Sequence, residues 1–242
     1  MKTISIKRMM LWGGLVVAIG LILYGIAYLR VLVLADRNFL SGPPCSAPCW
    51  QDITPGQTTR SEVIEKLKNL EYIQVSSIKE AGTAERGGVT WYWKFPLTAL
   101  YPNSVSWQKN IVQEIRLGVY NKLTIEEVIG IFGPPEAIEV GEGGIPEVWH
   151  LIFVMFYPNN GIQLTADTAD FSSTLEPGTM IHAIDYYPPM TLEDRLKAFH
   201  SGVDSTKVMG MIRPWNGFGD IFITYYGSRE EYYRLIDELF HN

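Results

Sequence analysis

The sequence predicts an α+β protein in which an N-terminal transmembrane helix precedes tandem modules of helices packed on one face of an antiparallel β-sheet. Three observations predict this class: a long uncharged apolar run opens the chain, two capped helix starts recur 65 residues apart, and alternating strand patterns follow each start. We expect five segments, namely the cytoplasmic tip and transmembrane anchor at 1–35, a Pro-rich stalk with a cysteine pair at 36–51, a first α+β repeat at 52–120, a second α+β repeat at 121–187, and a partial third repeat or C-terminal extension ending in a helix at 188–242.

The predicted anchor is residues 9–29, which carry no charge and consist mostly of Leu, Val, Ile, Gly and Ala. At about 1.5 Å per residue a helix of this length spans roughly 30 Å, the hydrocarbon thickness of a bilayer. Lys2, Lys7 and Arg8 precede the run, and this bias predicts a single-pass protein of the cell membrane with a cytoplasmic N-terminus and an extracytoplasmic C-terminal domain. A signal peptide cleaved near Ala35 is the alternative, but the apolar run is longer than signal peptides require.

The chain from Asp36 onward is acidic, since it holds all 26 Asp and Glu but only 16 of the 20 Lys and Arg. Such a surface repels nucleic acid and anionic lipid headgroups. The expected partner is therefore an unidentified protein or a component of the cell envelope, with the membrane contacted through the N-terminal helix and no nucleic acid bound.

Two cysteines, Cys45 and Cys49, lie in the stalk. An even pair in an oxidising compartment most simply forms one disulfide. Free thiols, lipidation and metal binding are the alternatives, in that order. Small residues would have to precede a lipidated cysteine, where Pro43 and Pro44 stand, and two thiolates alone leave a metal ligand set incomplete.

Two helix starts carry a capping box, in which a hydroxyl accepts a backbone N–H and a carboxylate three residues later bonds back to the cap. Thr59 with Glu62 forms the first box, and Thr124 with Glu127 forms the second. A weaker start at Thr191 is either a degenerate repeat or a chance match. A final helix is expected to begin at Ser228.

Strand patterns occupy the segments between these helices, and an Asn-Gly turn ending at Gly161 predicts a hairpin. The Gly-rich stretch 141–144 predicts a flexible hairpin loop. The predicted strands are 89–95, 112–120, 148–157, 162–165, 180–187 and 220–226.

A family resemblance rests on short motifs, which are Pro55, Gly56, Thr58, Glu62, Val63 and Thr90-Trp91-Tyr92 in the first repeat, and Thr124, Glu127, Val128, Phe132, Gly133, Pro135 and Trp149 in the second. This pattern resembles the SmpA/OmlA (BamE-like) domain, and the tandem arrangement is similar to β-lactamase inhibitory protein-like repeats. The resemblance covers residues 52–187 and implies an extracytoplasmic binding or scaffolding module without catalysis. The first repeat departs from the pattern at residues 67–70, where a Gly-x-Pro stop is expected, so no specific role in outer-membrane assembly or β-lactamase inhibition is carried over.

The sequence contains none of the motifs that mark nucleophilic or phosphate-binding sites. The four histidines, His150, His182, His200 and His241, show no zinc-helix spacing, so we interpret them as satisfied or solvent-facing side chains. Asp167 with Asp170 lacks the pattern of a calcium loop, which favours an ordinary polar loop. We therefore predict no enzyme, no catalytic residue, no cofactor and no metal site.

Aromatic residues are the positive indication of function, and we predict Tyr92, Trp107, Trp215 and Phe218 as possible partner-binding residues. The alternative is that these rings fill the core. The predicted function is a membrane-anchored extracytoplasmic protein-binding or scaffolding domain.

Two other hypotheses remain open. The first is an envelope hydrolase or carbohydrate-binding protein that uses exposed aromatics and carboxylates such as Glu114, Glu142 and Asp185, which would need two carboxylates about 5–10 Å apart in a deep cleft. The second is association of the apolar helix itself through Gly14 and Ala18.

Overall fold

The computed structural model describes residues 15, 17–26, 45–94, 102–119, 123–145, 148–168, 172–200 and 208–240. The chain divides into two compact units, Met1–Phe39 and Leu40–Asn242. The predictions for His241, Asp170 and stalk residues 36–44 lie outside the described residues, as does the side chain of Trp149.

The N-terminal unit is described at residue 15 and residues 17–26, which are helical. Within the described part of the chain, no helix has the length and apolar character needed to cross a membrane. This finding contradicts the predicted single-pass anchor and the cell-membrane localisation that followed from it, both of which depended on apolar composition alone. The rest of the predicted span, residues 9–14, 16 and 27–29, lies outside the described residues.

The second unit contains eleven described strands and four described helices. The strands are β1 (Lys79–Gly82), β2 (Arg86–Trp91), β3 (Asn103–Gln108), β4 (Ile111–Gly118), β5 (Ala137–Ile145), β6 (Val148–Tyr157), β7 (Ile162–Asp167), β8 (Thr174–Leu175), β9 (Ile181–Tyr186), β10 (Arg213–Pro214) and β11 (Gly219–Asp220). The helices are α1 (Arg60–Asn69), α2 (Ile125–Phe132), α3 (Leu192–Phe199) and α4 (Arg229–Phe240), with 3-10 turns at Val75–Ser77 and Pro158–Asn160 and a π-helix at Phe222–Tyr226.

One antiparallel sheet of nine strands, in the order β1-β2-β3-β4-β9-β7-β6-β5-β10, organises this unit. The last strands of the two predicted repeats, β4 and β9, pair with each other from Ile115 opposite Tyr186 to Gly118 opposite Ala183. This pairing satisfies backbone groups that two separate modules would leave unpaired at their edges. The predicted tandem modules therefore share a single sheet, while the boundaries proposed for the repeats stay predictions.

Two adjacent rows of paired residues define the two faces of the sheet, because successive residues of a strand point to opposite sides. The first face carries the buried row Val105, Ile115, Tyr186, Ile162 and Tyr157. The second face carries the more polar row Ser104, Arg116, Asp185, Gln163 and Phe156.

Helices lie on both faces, which corrects the predicted packing on one face. The ring of Phe132 in α2 lies 5.9 Å from that of Tyr157 on the first face. The ring of Phe199 in α3 lies 6.4 Å from that of Phe156 on the second face. The second face needs this cover because Phe156 belongs to an apolar cluster, which is Ala137, Val154, Phe156, Leu196 and Val208.

The predicted helix starts are confirmed. Both capping boxes are present, with Thr59 Nα donating to Glu62 Oε2 at 2.7 Å and Thr124 Nα donating to Glu127 Oε2 at 2.8 Å. Ser228 Oγ accepts the backbone N–H of Glu231 at 3.1 Å at the start of α4. These contacts join residues three apart, so the local sequence is enough to predict them.

Two local predictions are wrong. Residues 141–144 belong to β5 instead of a hairpin loop, because β6 pairs with β5 along its whole length from Ala137 to Ile145. Residues 222–226 form a π-helix instead of a strand, and the side chain of Asp220 accepts the backbone N–H of Ile223 at 3.1 Å at its start.

Candidate functional site

The cysteine pair forms a disulfide between Cys45 and Cys49, with an S–S distance of 2.06 Å. Among the described residues, one group of three His, Cys, Asp or Glu side chains has its ligand atoms within 4.8 Å of one another. This group consists of Cys45, Cys49 and Asp52. Sulfur binds metals as a thiolate, and both sulfurs here are held in the disulfide. This cluster is therefore not a metal site in its oxidised form.

The four predicted partner-binding residues lie in two distant parts of the sheet. Tyr92, which is 38% exposed, follows β2 near one edge, whereas Trp215 and Phe218 follow β10 at the other edge. Trp107 is 2% exposed, and its Nε1 donates to Thr83 O at 2.7 Å, so it offers almost no surface to a partner.

Trp215, Phe218 and Tyr225 come together as what we name the aromatic surface. The rings of Trp215 and Phe218 are 5.4 Å apart and nearly perpendicular, and the ring of Tyr225 lies 6.3 Å from that of Trp215. Phe218 is 37% exposed, and Ile223, on the same π-helix as Tyr225, is 70% exposed. Sequence reasoning missed Tyr225 because it placed this segment in a strand.

Hydrogen bonds hold the loop of the aromatic surface against the π-helix. Tyr225 Oη donates to Gly217 O at 2.6 Å, and Asn216 Nδ2 donates to Thr224 O at 3.0 Å. Burial raises the pKa of Tyr225 to about 12, so its hydroxyl stays protonated and remains a donor at neutral pH. The rings are therefore presented on a fixed backbone.

A second aromatic cluster anchors the π-helix from behind. The ring of Tyr232 in α4 lies 5.2 Å from that of Phe222 and 4.9 Å from that of Tyr226. The guanidinium of Arg213 lies 4.8 Å from the ring centre of Tyr226, whose hydroxyl donates to Met211 O at 3.1 Å. π-Helices are rare and occur often at functional sites, and here the packing of α4 supports one directly beside the aromatic surface.

A polar groove of about 610 Å³, which we name the histidine groove, lies where β6, β7 and β9 are neighbours. His150 Nε2 is 3.6 Å from Asp167 Oδ2, and His182 Nε2 contacts the other oxygen of the same carboxylate. All three side chains are between 23% and 29% exposed. The remaining lining residues that matter chemically are Thr168, Thr174, Glu176 and Thr179.

Sequence reasoning treated these histidines as unrelated because they lie 32 residues apart. Only the strand order β9-β7-β6 brings both of them to Asp167. A usable local signal was the uninterrupted apolar run between His150 and Tyr157, which identifies β6 but does not identify its neighbours.

A buried polar row lies on the second face, beside α3. Arg195 is 4% exposed; its Nε donates to Gln163 Oε1 at 2.9 Å and its Nη2 donates to Glu114 Oε1 at 2.8 Å. Its guanidinium also lies 4.0 Å from the ring centre of Tyr187. These contacts fasten α3 to β4, to β7 and to Tyr187 just after β9, and their role is, in our interpretation, structural.

Asp185 sits in the same row, fully buried, with Arg116 Nε 3.6 Å from its Oδ1. Burial raises the pKa of Asp185 to about 6, although Arg116 opposes this rise. The three carboxylates that the hydrolase hypothesis named, Glu114, Glu142 and Asp185, line neither the histidine groove nor the groove beside Arg60.

His200 pairs with a different carboxylate at the end of α3. Its Nε2 lies 3.0 Å from Glu139 Oε2. Burial raises the pKa of Glu139, and the neighbouring imidazole opposes that rise. Glu139 thus contacts the imidazole of His200, whereas Asp167 contacts the imidazoles of both His150 and His182.

Comparisons of the chain with protein-family models, with curated proteins and with solved structures found no match.

Proposed function

We propose that this chain is a non-catalytic binding module that holds a partner protein through the aromatic surface, where Phe218 is the exposed ring and Trp215 and the buried Tyr225 support it. The observation that carries the proposal is the exposed ring of Phe218, set perpendicular to the half-buried ring of Trp215 on a loop that is tied to its neighbouring helix. Large rings with exposed apolar area are the side chains that contribute most binding energy at protein interfaces.

Rigidity strengthens the case for this surface. Ordering a flexible side chain or loop at an interface costs roughly 0.5–1.5 kcal/mol per rotamer-rich side chain. The bond from Tyr225 to Gly217 and that from Asn216 to Thr224 already hold the loop before a partner arrives. Most of that entropic cost is therefore met during folding.

The ring geometry favours a protein side chain over a flat sugar or base. Trp215 and Phe218 meet at 89°, so they present no common flat platform on which a sugar or base could stack.

Site-specific photocrosslinking in cells that express the chain tests this proposal. A benzophenone amino acid at Phe218 should give a discrete crosslinked protein, and the same amino acid at Tyr92 provides a control of matched exposure, 37% against 38%. Trp215→Ala in the Phe218 variant should lower the crosslink yield at least tenfold, since truncating an interface anchor costs about 2 kcal/mol or more. Equal products at both positions, or a yield that Trp215→Ala leaves unchanged with the melting temperature preserved, would contradict the proposal.

A further inference from the structure

We propose that the histidine groove is a binding site for a divalent transition-metal ion, Zn²⁺ being the ion its donors suit best, with His150, Asp167 and His182 as ligands. This inference is independent of the aromatic surface, which lies on other elements of the fold. It also departs from the expectation, based on the sequence, that the chain has no metal site.

Strand order places the three donors side by side. Asp167 ends β7, the central strand of the three, while His150 lies on β6 and His182 on β9. Neighbouring strands are about 4.8 Å apart. One carboxylate is thus approached by an imidazole from each side, which is a donor set of two nitrogens and one oxygen typical of zinc and related metals.

A break in the strand register turns His182 toward Asp167. β7 and β9 pair regularly from Ile162 opposite Tyr186 to Thr165 opposite Ala183, but Ala166 then faces Ile181, so His182 is an extra residue in β9. With regular pairing, His182 would face Ala166 and point to the opposite side of the sheet from Asp167. β-Bulges of this kind redirect side chains and are common beside functional sites.

His150 stands at a distance from Asp167 that suits a shared ion, whereas His182 contacts the carboxylate directly and must draw back for an ion to lie between them. The 3.6 Å separation of His150 and Asp167 is too long for a hydrogen bond. Two ligands of a tetrahedral zinc ion, each at about 2.0–2.1 Å, are roughly 3.4 Å apart. His150 also lies against Gly143, where a β-carbon would be 3.1 Å from its Nε2, so the glycine leaves room for the ring.

The three ligand atoms do not yet meet at one point, since they are not all within 4.8 Å of one another. Binding therefore requires the two imidazoles to rotate toward the same side of the carboxylate. Their partial exposure and the open volume of about 610 Å³ provide the space for that rotation. The fourth position would face the groove, where Glu176 or water can supply an oxygen.

Zinc titration of the purified full chain against a chromophoric chelator at pH 7.5 tests the site. We expect one equivalent of Zn²⁺, with affinity reduced at least tenfold by Asp167→Asn and by His182→Ala. His200→Ala is the matched control, because it removes an imidazole paired with a carboxylate elsewhere in the fold and should leave affinity unchanged.

A second measurement separates lost binding from lost folding. Co²⁺ bound in place of Zn²⁺ should give visible d–d absorption in the wild type and in His200→Ala, and this absorption should disappear in His182→Gln at an unchanged melting temperature. The proposal is overturned if Zn²⁺ fails to bind at 100 µM, or if the folded Asp167→Asn and His182→Ala variants keep wild-type affinity. It is equally overturned if His200→Ala alone removes the bound ion.

Discussion

Replacing Asp185 with asparagine should stabilise the protein at neutral pH, because the fold buries a carboxylate that it does not fully compensate. Both carboxylate oxygens lack a hydrogen-bond partner among the described residues, and so does Gln163 Nε2 on the adjacent strand. Arg116 Nε is 3.6 Å away and half of its side chain is in solvent, so it offsets the desolvation only in part. Asparagine keeps the shape of the side chain and removes the charge.

The magnitude follows from the pKa of Asp185, which rises from 3.8 to about 6 on folding. Each unit corresponds to about 1.4 kcal/mol, so the charged form costs the native state roughly 2–3 kcal/mol. Because the folded-state pKa is the higher one, this cost is absent below pH 3.8, grows as the pH rises toward 6, and is fully present at pH 7.5. Asp185→Asn should therefore gain roughly 2–3 kcal/mol at pH 7.5 and almost nothing at pH 3.5.

Urea denaturation of both proteins at pH 3.5, 5 and 7.5 measures this difference directly. The exposed acid Glu193 provides a control, and Glu193→Gln should show no comparable gain with pH, since its partner Lys197 is also in solvent. A stability difference for Asp185→Asn that does not change with pH would refute the reasoning. A loss of stability at pH 7.5 would show that attraction to Arg116 and Arg195 outweighs desolvation.

Two further predictions concern the elements that position the sites. Thr124→Ala should lower the free energy of unfolding by about 1 kcal/mol, because it removes the N-cap of α2. Urea denaturation would measure this loss, with Thr174→Ala as a control at an exposed threonine. Equal effects of the two substitutions would contradict the capping role. Phe156→Ala should lower the free energy of unfolding by about 3–5 kcal/mol, because Phe156 fills the contact between β6 and α3. Faster hydrogen exchange in Leu192–Phe199 would show that α3 is the element affected. Unchanged protection of that helix would argue against its packing on the second face.

Local chemistry explains which structural predictions succeeded. The boxes at Thr59 and Thr124 and the start at Ser228 each depend on residues three positions apart. The hairpin turn depends on Gly161, whose φ of 64° is unfavourable for residues with a β-carbon. These signals do not need any knowledge of the rest of the fold.

Predictions failed where pairing or packing is long-range. An alternating pattern indicates which residues of β4 share a face, but it does not indicate that β9 lies beside it. The same limit hid the π-helix, because the aromatic residues of Phe222–Tyr226 are compatible with a strand until α4 packs against them. It also concealed the histidine groove, whose three donors come from three different strands.

The sequence by itself therefore determined where α1, α2 and α4 begin, where the hairpin turns and which strands are apolar, since these features follow from neighbouring residues. The tertiary structure alone decided that one sheet joins the segments predicted as two repeats and that helices cover both of its faces. It also decided that Asp185 is buried and that His182 turns toward Asp167, because a strand's neighbours and register are set by contacts between residues far apart in the chain.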